Sequence, residues 1–512
     1  MSSENKLPFE SQTTMSGKAA TFWVYVQNWA ARCITLVVFF ILARLLSPEE
    51  FGIFTVALIF VTVGEIFIEQ ILAHSIIQRE KLTQIHLNSA FWAVVVFSVV
   101  LAIGVIFIAP LYARLSGSPN AAPVIMALTP IFLFMGMSGI FAALLRRRLD
   151  YKTLTRRTIL ANIISGVVAV AAAFSGLGLW TFVIQLLVFN LVGLVVLWRY
   201  ESWRPEATFS FTALKELLGF SARITFVKIL DLIETRGVEL VIARNLGVVV
   251  LGNYSLASKT QQTVNQLLAS PLGESAISIF SRLQSDREAF LKSVFIRQEI
   301  AVALVAPIFV LIAVTADWLI PLVFGDKWMG AVVAFKLLCL LAGVRVVVYI
   351  YEAVLKALGA ANAVIVMTVI RIFGWLVFLP FLMKSFSIAG VATALLIGQI
   401  ISIPVGMKFV KDRLDIKMST MFFVFIKPFL TIVFAVFIGY LSSLLLTGYL
   451  SSFTLFILTL LIGIVTFCIS LILIMPKFIL VCFYAVPTSF QKHLTPLFHV
   501  LMKIKGSPKP MP

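Results

Sequence analysis

Between Phe220 and Ser275 a membrane-length stretch carries Arg223, Lys228, Asp231, Glu234, Arg236 and Glu239. A charge at mid-bilayer costs a few kcal/mol or more, so ionisable residues in a span face a bundle interior or water. Wound as a helix at about 100° per residue, all six fall on one broad face. Phe226, Ile229, Leu230, Ile233 and Leu240 fill the remaining, uncharged arc. Lys228 with Asp231, and Arg236 with Glu239, stand at i, i+3 and can pair. Two readings are open: a self-neutralised network that holds helices together, or a wet space that handles a substrate or an ion.

Other apolar runs hold isolated ionisable groups. Arg345 and Arg371 each stand alone, and Glu352 at i+7 is a candidate partner for Arg345. Glu65 and Glu69 share a helix face at i, i+4. Two close carboxylates in low dielectric raise at least one pKa, which suits proton or Na⁺ coupling; pairing with Arg32 or with the cations of 220–243 is the competing reading. Gln261, Gln262, Asn265 and Gln266 cluster in one span, where they can meet hydroxyl groups or join helices. Tyr254, Tyr349 and Tyr351 lie in polar-bearing helices, where a ring can stack on a ligand or simply pack. Pro271, Gly273, Pro307 and Pro404 are candidate hinges, because proline removes a helix hydrogen bond.

The elements that must position these residues are membrane helices. Hydrophobic residues make up 61% of the 512, and the mean hydropathy is +1.05. Soluble chains are near half apolar. The runs are of helix length and lack period-2 alternation, which excludes an outer-membrane barrel. The net charge of +18 sits in short loops between spans, so it argues for positive-inside topology rather than nucleic acid. Cys33, Cys339, Cys468 and Cys482 lie in apolar stretches without metal spacing. The N-terminal 18 residues lack the order of a cleaved signal.

We expect about fourteen spans: 19–43, 51–72, 89–112, 121–145, 156–175, 178–198, 220–243, 250–273, 294–316, 329–354, 361–383, 387–408, 420–446 and 450–475. Each is near the ~20 residues that cross a bilayer. One set of alternate loops is rich in arginine and lysine, notably Arg146, Arg147, Arg148 and Lys152, so both termini are expected in the cytoplasm. A repeat appears at an offset of 200. Ala43-Arg44-Leu45-Leu46 recurs as Ala243-Arg244-Asn245-Leu246, Gly52 falls on Gly252, Ser75 on Ser275 and Ile77 on Ile277. Six spans per repeat make it parallel. The expected fold is an all-α polytopic membrane protein with two six-helix lobes, 1–210 and 211–415, and two additional helices in 416–512. The segment 200–219 joins the lobes, with Trp198, Trp203 and Phe209 as interfacial anchors.

Several loops resemble one family. Leu42-Ala43-Arg44-Leu45-Leu46-Ser47-Pro48-Glu49-Glu50-Phe51-Gly52, Ser75-Ile76-Ile77-Gln78-Arg79, Leu145-Arg146-Arg147-Arg148-Leu149-Asp150-Tyr151 and Ile320-Pro321-Leu322-Val323-Phe324-Gly325-Asp326-Lys327-Trp328 are similar to loops of the polysaccharide transporters. These are Wzx-type, colanic-acid-exporter-like flippases of the multidrug/oligosaccharidyl-lipid/polysaccharide exporter superfamily. The resemblance runs from about 20 to 415. It implies flipping of a polyprenyl-pyrophosphate-linked oligosaccharide across a bacterial inner membrane for surface polysaccharide synthesis. Membrane lipid, a polysaccharide polymerase and export machinery are the further partners to consider, and no cofactor is implied. The quoted motifs are loop and packing signatures and carry over no ligand residue.

Such a substrate combines a pyrophosphate, a hydroxyl-rich glycan and a lipid tail. Arginine suits phosphate because its planar fork makes bidentate, charge-assisted bonds. The candidate binding residues are therefore Arg32, Arg223, Lys228, Asp231, Glu234, Arg236, Arg345 and Arg371, with Lys259 and Arg297 weaker; Glu65 and Glu69 are the ion-coupling candidates. Two other classes compete. A drug or metabolite exporter needs a net negative site for a soluble cation, whereas the charges here balance or lean positive. A membrane polymerase or glycosyltransferase normally needs a sizeable external loop or a carboxylate-rich site. The outward loops are short, and His74, His86, His493 and His499 form no cluster with a carboxylate or cysteine. No phosphate-cradling glycine loop with its lysine is present, which argues against ATP hydrolysis.

Overall fold

The computed structural model describes residues 17–70, 75–77, 79, 82–218, 222–419, 421, 429–431, 433, 434, 437, 438, 441, 445 and 452–474. Among these residues there is no strand, and eight helices are long and apolar enough to cross a membrane. The chain is an all-α polytopic membrane protein. Two helices outside that set of eight, α9 (Ala222–Leu246) and α10 (Val248–Leu268), hold the charged and amide-rich stretches.

The chain forms two compact units. The first comprises Met1–Leu256 and Val323–Gly330. Its helices are α1 (Gly17–Leu45), α2 (Pro48–Gly64), α3 (Gln84–Leu115), α4 (Ala121–Leu128), α5 (Pro130–Arg147), α6 (Tyr151–Phe174), α7 (Trp180–Tyr200), the short α8 (Phe211–Leu218), α9 and the first part of α10. The start of α2 is written in the sequence: Ser47 caps it, Pro48 follows, and Glu50 closes a capping box by accepting from the Ser47 amide at 2.7 Å. That reciprocal arrangement satisfies two orphan donors of the first turn.

Helices α2 and α10 meet so closely at their first turns that only glycine fits. A Cβ on Gly52 would stand 1.8 Å from the Val248 carbonyl oxygen, and one on Gly252 would stand 1.7 Å from that of Pro48. Both pairings are reciprocal at the offset of the repeat. One turn on, Thr55 and Ser255 join their hydroxyls at 2.8 Å.

The late segment 323–330 belongs to this unit. Trp328 is fully buried, and its indole N–H donates to the Ala43 carbonyl at 2.7 Å. Lys327 donates to the Arg44 carbonyl at 2.8 Å. Both bonds satisfy carbonyls that the end of α1 leaves open. Phe51 stands edge-on to Trp328 and Phe182, with centroids at 4.9 and 4.8 Å. Two of the segments that carry the family resemblance thus pack on each other.

The linker after α7 differs from the interfacial reading. Trp203 is interior: it is 3% exposed, sits among Phe91, Phe141 and Trp198, and donates to Gln84 at 2.9 Å. Its burial is fixed by long-range partners that a local pattern does not reveal. Glu201 beside it is buried and accepts from Arg148 at 2.9 Å and from the Trp203 amide at 3.1 Å. Phe209 is exposed. The linker leads into α8, whose Glu216 bonds Arg79 and lies 3.3 Å from His86 Nε2. A histidine therefore does meet a carboxylate, brought from 130 positions away, which corrects the expectation that none would.

The second unit comprises Ala257–Leu322 and Ala331–Pro512. It holds the rest of α10, α11 (Ser270–Arg282), α12 (Arg287–Ile300), α13 (Ala306–Val314), α14 (Ala316–Phe324, whose last two residues fall in the first unit), α15 (Val332–Ala357), α16 (Ala361–Leu414) and α17 (Ser452–Ile474). A π turn at Ala301–Val305 joins α12 to α13 just before Pro307. Pro271 opens α11 rather than bending α10. Helix α16 bends at Ser387 (φ 53°, ψ −130°), the first residue of the second of the two spans expected there. Helix α15 is central to the packing and lies against α11, α13 and α16.

Candidate functional site

Each unit contains a polar cluster within membrane-length helices. In the first, Arg236 of α9 donates to Glu239 at 2.7 Å and to the Thr62 hydroxyl of α2 at 2.9 Å. The i, i+3 spacing puts both charges on one helix face, and the second guanidinium nitrogen is left to tie α9 to α2. Glu234 is half-buried on the same helix. Glu65 is exposed in a π turn, Glu65–Gln70, that ends α2; such turns occur often at functional positions. Arg32 is half-buried in α1. Polar contacts flank it on the α6 side, Gln27 to Thr158 at 3.2 Å and Thr35 to Asn162 at 3.1 Å. Those amides and hydroxyls join helices.

The side chains of Arg223, Lys228, Asp231 and Glu69 lie outside the described residues.

In the second unit Arg345 and Tyr349 are one turn apart on α15. The Arg345 guanidinium lies over the Tyr349 ring, 5.7 Å from its centroid, a favourable cation–π placement. The Tyr349 hydroxyl accepts from Asn265 Nδ2 of α10 at 2.9 Å. On the same helix Lys259, Gln262 and Gln266 are exposed. One ammonium and two carboxamides thus give α10 an exposed polar face, in keeping with its place outside the set of apolar spans.

Arg371 of α16 is 3% exposed and stands 3.9 Å from Glu352, which also receives Lys356 at 3.3 Å. Glu352, considered above for Arg345, is thus seated between a neighbour on its own helix and a cation of the next. Arg345 and Arg371 thus stand on neighbouring helices of one unit, and a guanidinium is a side chain that suits an anionic oxygen. From sequence alone Tyr349 and Lys259 rank below the arginines. The signal for them was there: polar residues recurring along the lengths of α10 and α15.

The profile of the polysaccharide biosynthesis protein family matches residues 41–333, more than half of the sequence. The chain belongs to that family. Among its relatives is the succinoglycan biosynthesis transport protein ExoT of Rhizobium meliloti (strain 1021), 28% identical over 321 residues that cover 62% of this chain and 65% of ExoT. The lipopolysaccharide biosynthesis protein WzxC of Escherichia coli (strain K12) is 26% identical over 60% of this chain and 63% of its own. The chain thus spans a little under two thirds of the length of these two. The teichuronic acid biosynthesis protein TuaB of Bacillus subtilis (strain 168) is 22% identical, over 83% of this chain and 88% of TuaB.

Among solved structures, the lipid II flippase MurJ in an inward closed conformation superposes with a TM-score of 0.72, over 90% of this chain and all of MurJ, at 14% identity. An inward-facing multidrug resistance MATE transporter gives 0.57 over 76% of this chain and 94% of its own, also at 14% identity. This polysaccharide biosynthesis family member therefore has a fold shared by membrane transporters, and its matched region spans both Gly52 and Gly252, Arg236 and the Trp328 segment.

Proposed function

We propose that the protein flips a polyprenyl-pyrophosphate-linked oligosaccharide across the bacterial inner membrane, in the synthesis of a surface polysaccharide. The observation that carries this reading is the exposed polar face of α10 beside the Arg345–Tyr349 pair. It supplies what the substrate needs: cation for pyrophosphate, amide and hydroxyl for glycan. The names of ExoT and WzxC, a transport protein and a lipopolysaccharide biosynthesis protein, are consistent with it. Arg345 and Arg371, with Arg32, Arg223, Lys228 and Arg236, are the phosphate candidates; Asp231 and Glu234 balance their charge. Glu65 and Glu69 are the ion-coupling candidates.

In this reading the chain performs no covalent chemistry. Its lobes, 1–210 and 211–415, rock about a central space while both termini stay cytoplasmic, and 416–512 is an appendage. Polymerase and export machinery receive the product on the outer face.

Proteoliposomes holding a polyprenyl-pyrophosphate oligosaccharide test it. Glycan exposure on the opposite leaflet is followed for wild type, Arg345→Ala and Asp231→Ala. A charge-assisted bond contributes about 1.5–3 kcal/mol, so Arg345→Ala is expected to slow flipping by about tenfold or more while the protein stays folded. Wild-type flipping with both variants unaffected would remove these residues from the site. No wild-type flipping alongside export of a soluble cation would replace the function.

A further inference from the structure

We infer that Tyr349 and Asn265 form a pair that reads hydroxyl groups, and that it takes the sugar end of the substrate rather than the phosphate end. The choice of a glycan as ligand rests on the function proposed above.

Three observations carry the inference. Asn265 Nδ2 donates to the Tyr349 hydroxyl at 2.9 Å, and Asn265 Oδ1 is a buried acceptor with no hydrogen-bond partner. Tyrosine that accepts one bond still has its own O–H to donate. The pair thus keeps one free donor and one free acceptor side by side. Turning the carboxamide over leaves the same balance, since the amide N–H groups then face outward and the phenol oxygen retains a lone pair.

A sugar hydroxyl is both donor and acceptor, so neighbouring hydroxyls satisfy such a pair. A pyrophosphate oxygen is acceptor only, so with the carboxamide either way round it takes a donor of the pair and leaves the pair's acceptor oxygen unfilled. Buried polar groups left unsatisfied are costly, and a ligand that fills them is favoured over one that cannot.

The surroundings agree. Arg345 lies over one face of the Tyr349 ring. Lys259, Gln262 and Gln266, exposed on α10, put an ammonium and two further amides within one or two turns of Asn265. Arginine on one side and a neutral donor–acceptor pair on the other give the site two ends of different chemistry.

The test is binding to purified protein in detergent, with two probes: polyprenyl pyrophosphate bearing one galactose, and the same lipid pyrophosphate without sugar. Wild type is expected to prefer the sugar-bearing probe. Tyr349→Phe keeps the ring and its arginine but removes the hydroxyl; it is expected to weaken the sugar-bearing probe by about threefold to tenfold and leave the bare one unchanged. Asn265→Ala is expected to do the same, and covers the case in which one variant folds poorly. Equal affinity of wild type for both probes would overturn the inference, as would equal weakening of both by Tyr349→Phe, or no weakening of either. Sugar-selective binding without flipping in vesicles would overturn the proposed transport while leaving the pair assigned.

Discussion

The hydroxyls of Thr55 and Ser255 meet at 2.8 Å, across an interval of 200 residues. The same interval relates Gly52 to Gly252 and Pro48 to Val248, whose atoms interlock in the turn before. Two copies of one sequence pattern touch each other at corresponding positions.

This contact gives the first prediction. Cysteines at both hydroxyl positions, Thr55→Cys with Ser255→Cys, are expected to form a disulfide under mild oxidation, because the replaced oxygens are already in bonding contact and little backbone movement is needed. Gel mobility with and without reductant reads the bond. If the lobes rock as proposed, oxidation arrests flipping and reductant restores it; unchanged flipping by fully cross-linked protein would exclude motion at this seam.

Gly252→Ala is expected to destabilise the protein. Its added carbon would fall on the backbone of Pro48, which cannot swing away as a side chain can. Overpacking of this kind costs about 1–3 kcal/mol. A thermal melt in detergent measures it, and Gly104→Ala, inside α3 where a Cβ meets nothing within 4 Å, is the control expected to melt no lower than wild type.

The linker should be a fixed element. Trp203→Ala empties an aromatic cluster and is expected to cost about 3–5 kcal/mol. Glu201→Gln keeps the shape but weakens the bond from Arg148, with an expected cost of about 1.5–3 kcal/mol. Limited proteolysis between Glu201 and Ser210 reads both: wild type resists, the variants are cut.

Acid should release α8. Hydrogen bonds from Arg79 first, and then His86, hold the Glu216 carboxyl below the usual carboxylate range. A group whose pKa is lowered by folding adds stability that is full above its unfolded value and is lost as pH falls through the folded one. Hydrogen exchange across Phe211–Leu218 is therefore expected to speed up only below the ordinary carboxylate range. Glu216→Gln is expected to exchange fast at every pH. Since Glu216 is half-exposed, added salt should weaken the tie as well.

What was legible in the sequence was what local spacing or the repeat encodes. Arg236 and Glu239 were readable as partners because i, i+3 fixes their geometry. Ser47, Pro48 and Glu50 announce a helix start. Gly52 and Gly252 were visible as a repeat, although not as a contact. Residues that pair across long intervals were out of reach. Glu352 stood seven positions from Arg345 on one helix, yet it lies beside Arg371 of another. Trp203 has the look of an interfacial anchor, and only the folded positions of Phe91 and Phe141 make it interior. His86 found its carboxylate in the same way.

The Trp328 segment bears on how the protein is made. The carbonyls of Ala43 and Arg44 are synthesised early, but the groups that satisfy them leave the ribosome almost three hundred residues later. Until then the end of α1 and the ring of Phe51 wait with that side uncovered. The first unit cannot be completed by its own N-terminal stretch, however long it is given. A chain stopped before Val323 should be insoluble or quickly degraded, and supplying the missing part as a separate fragment should rescue it. The first unit is thus complete only when one late tryptophan is in place.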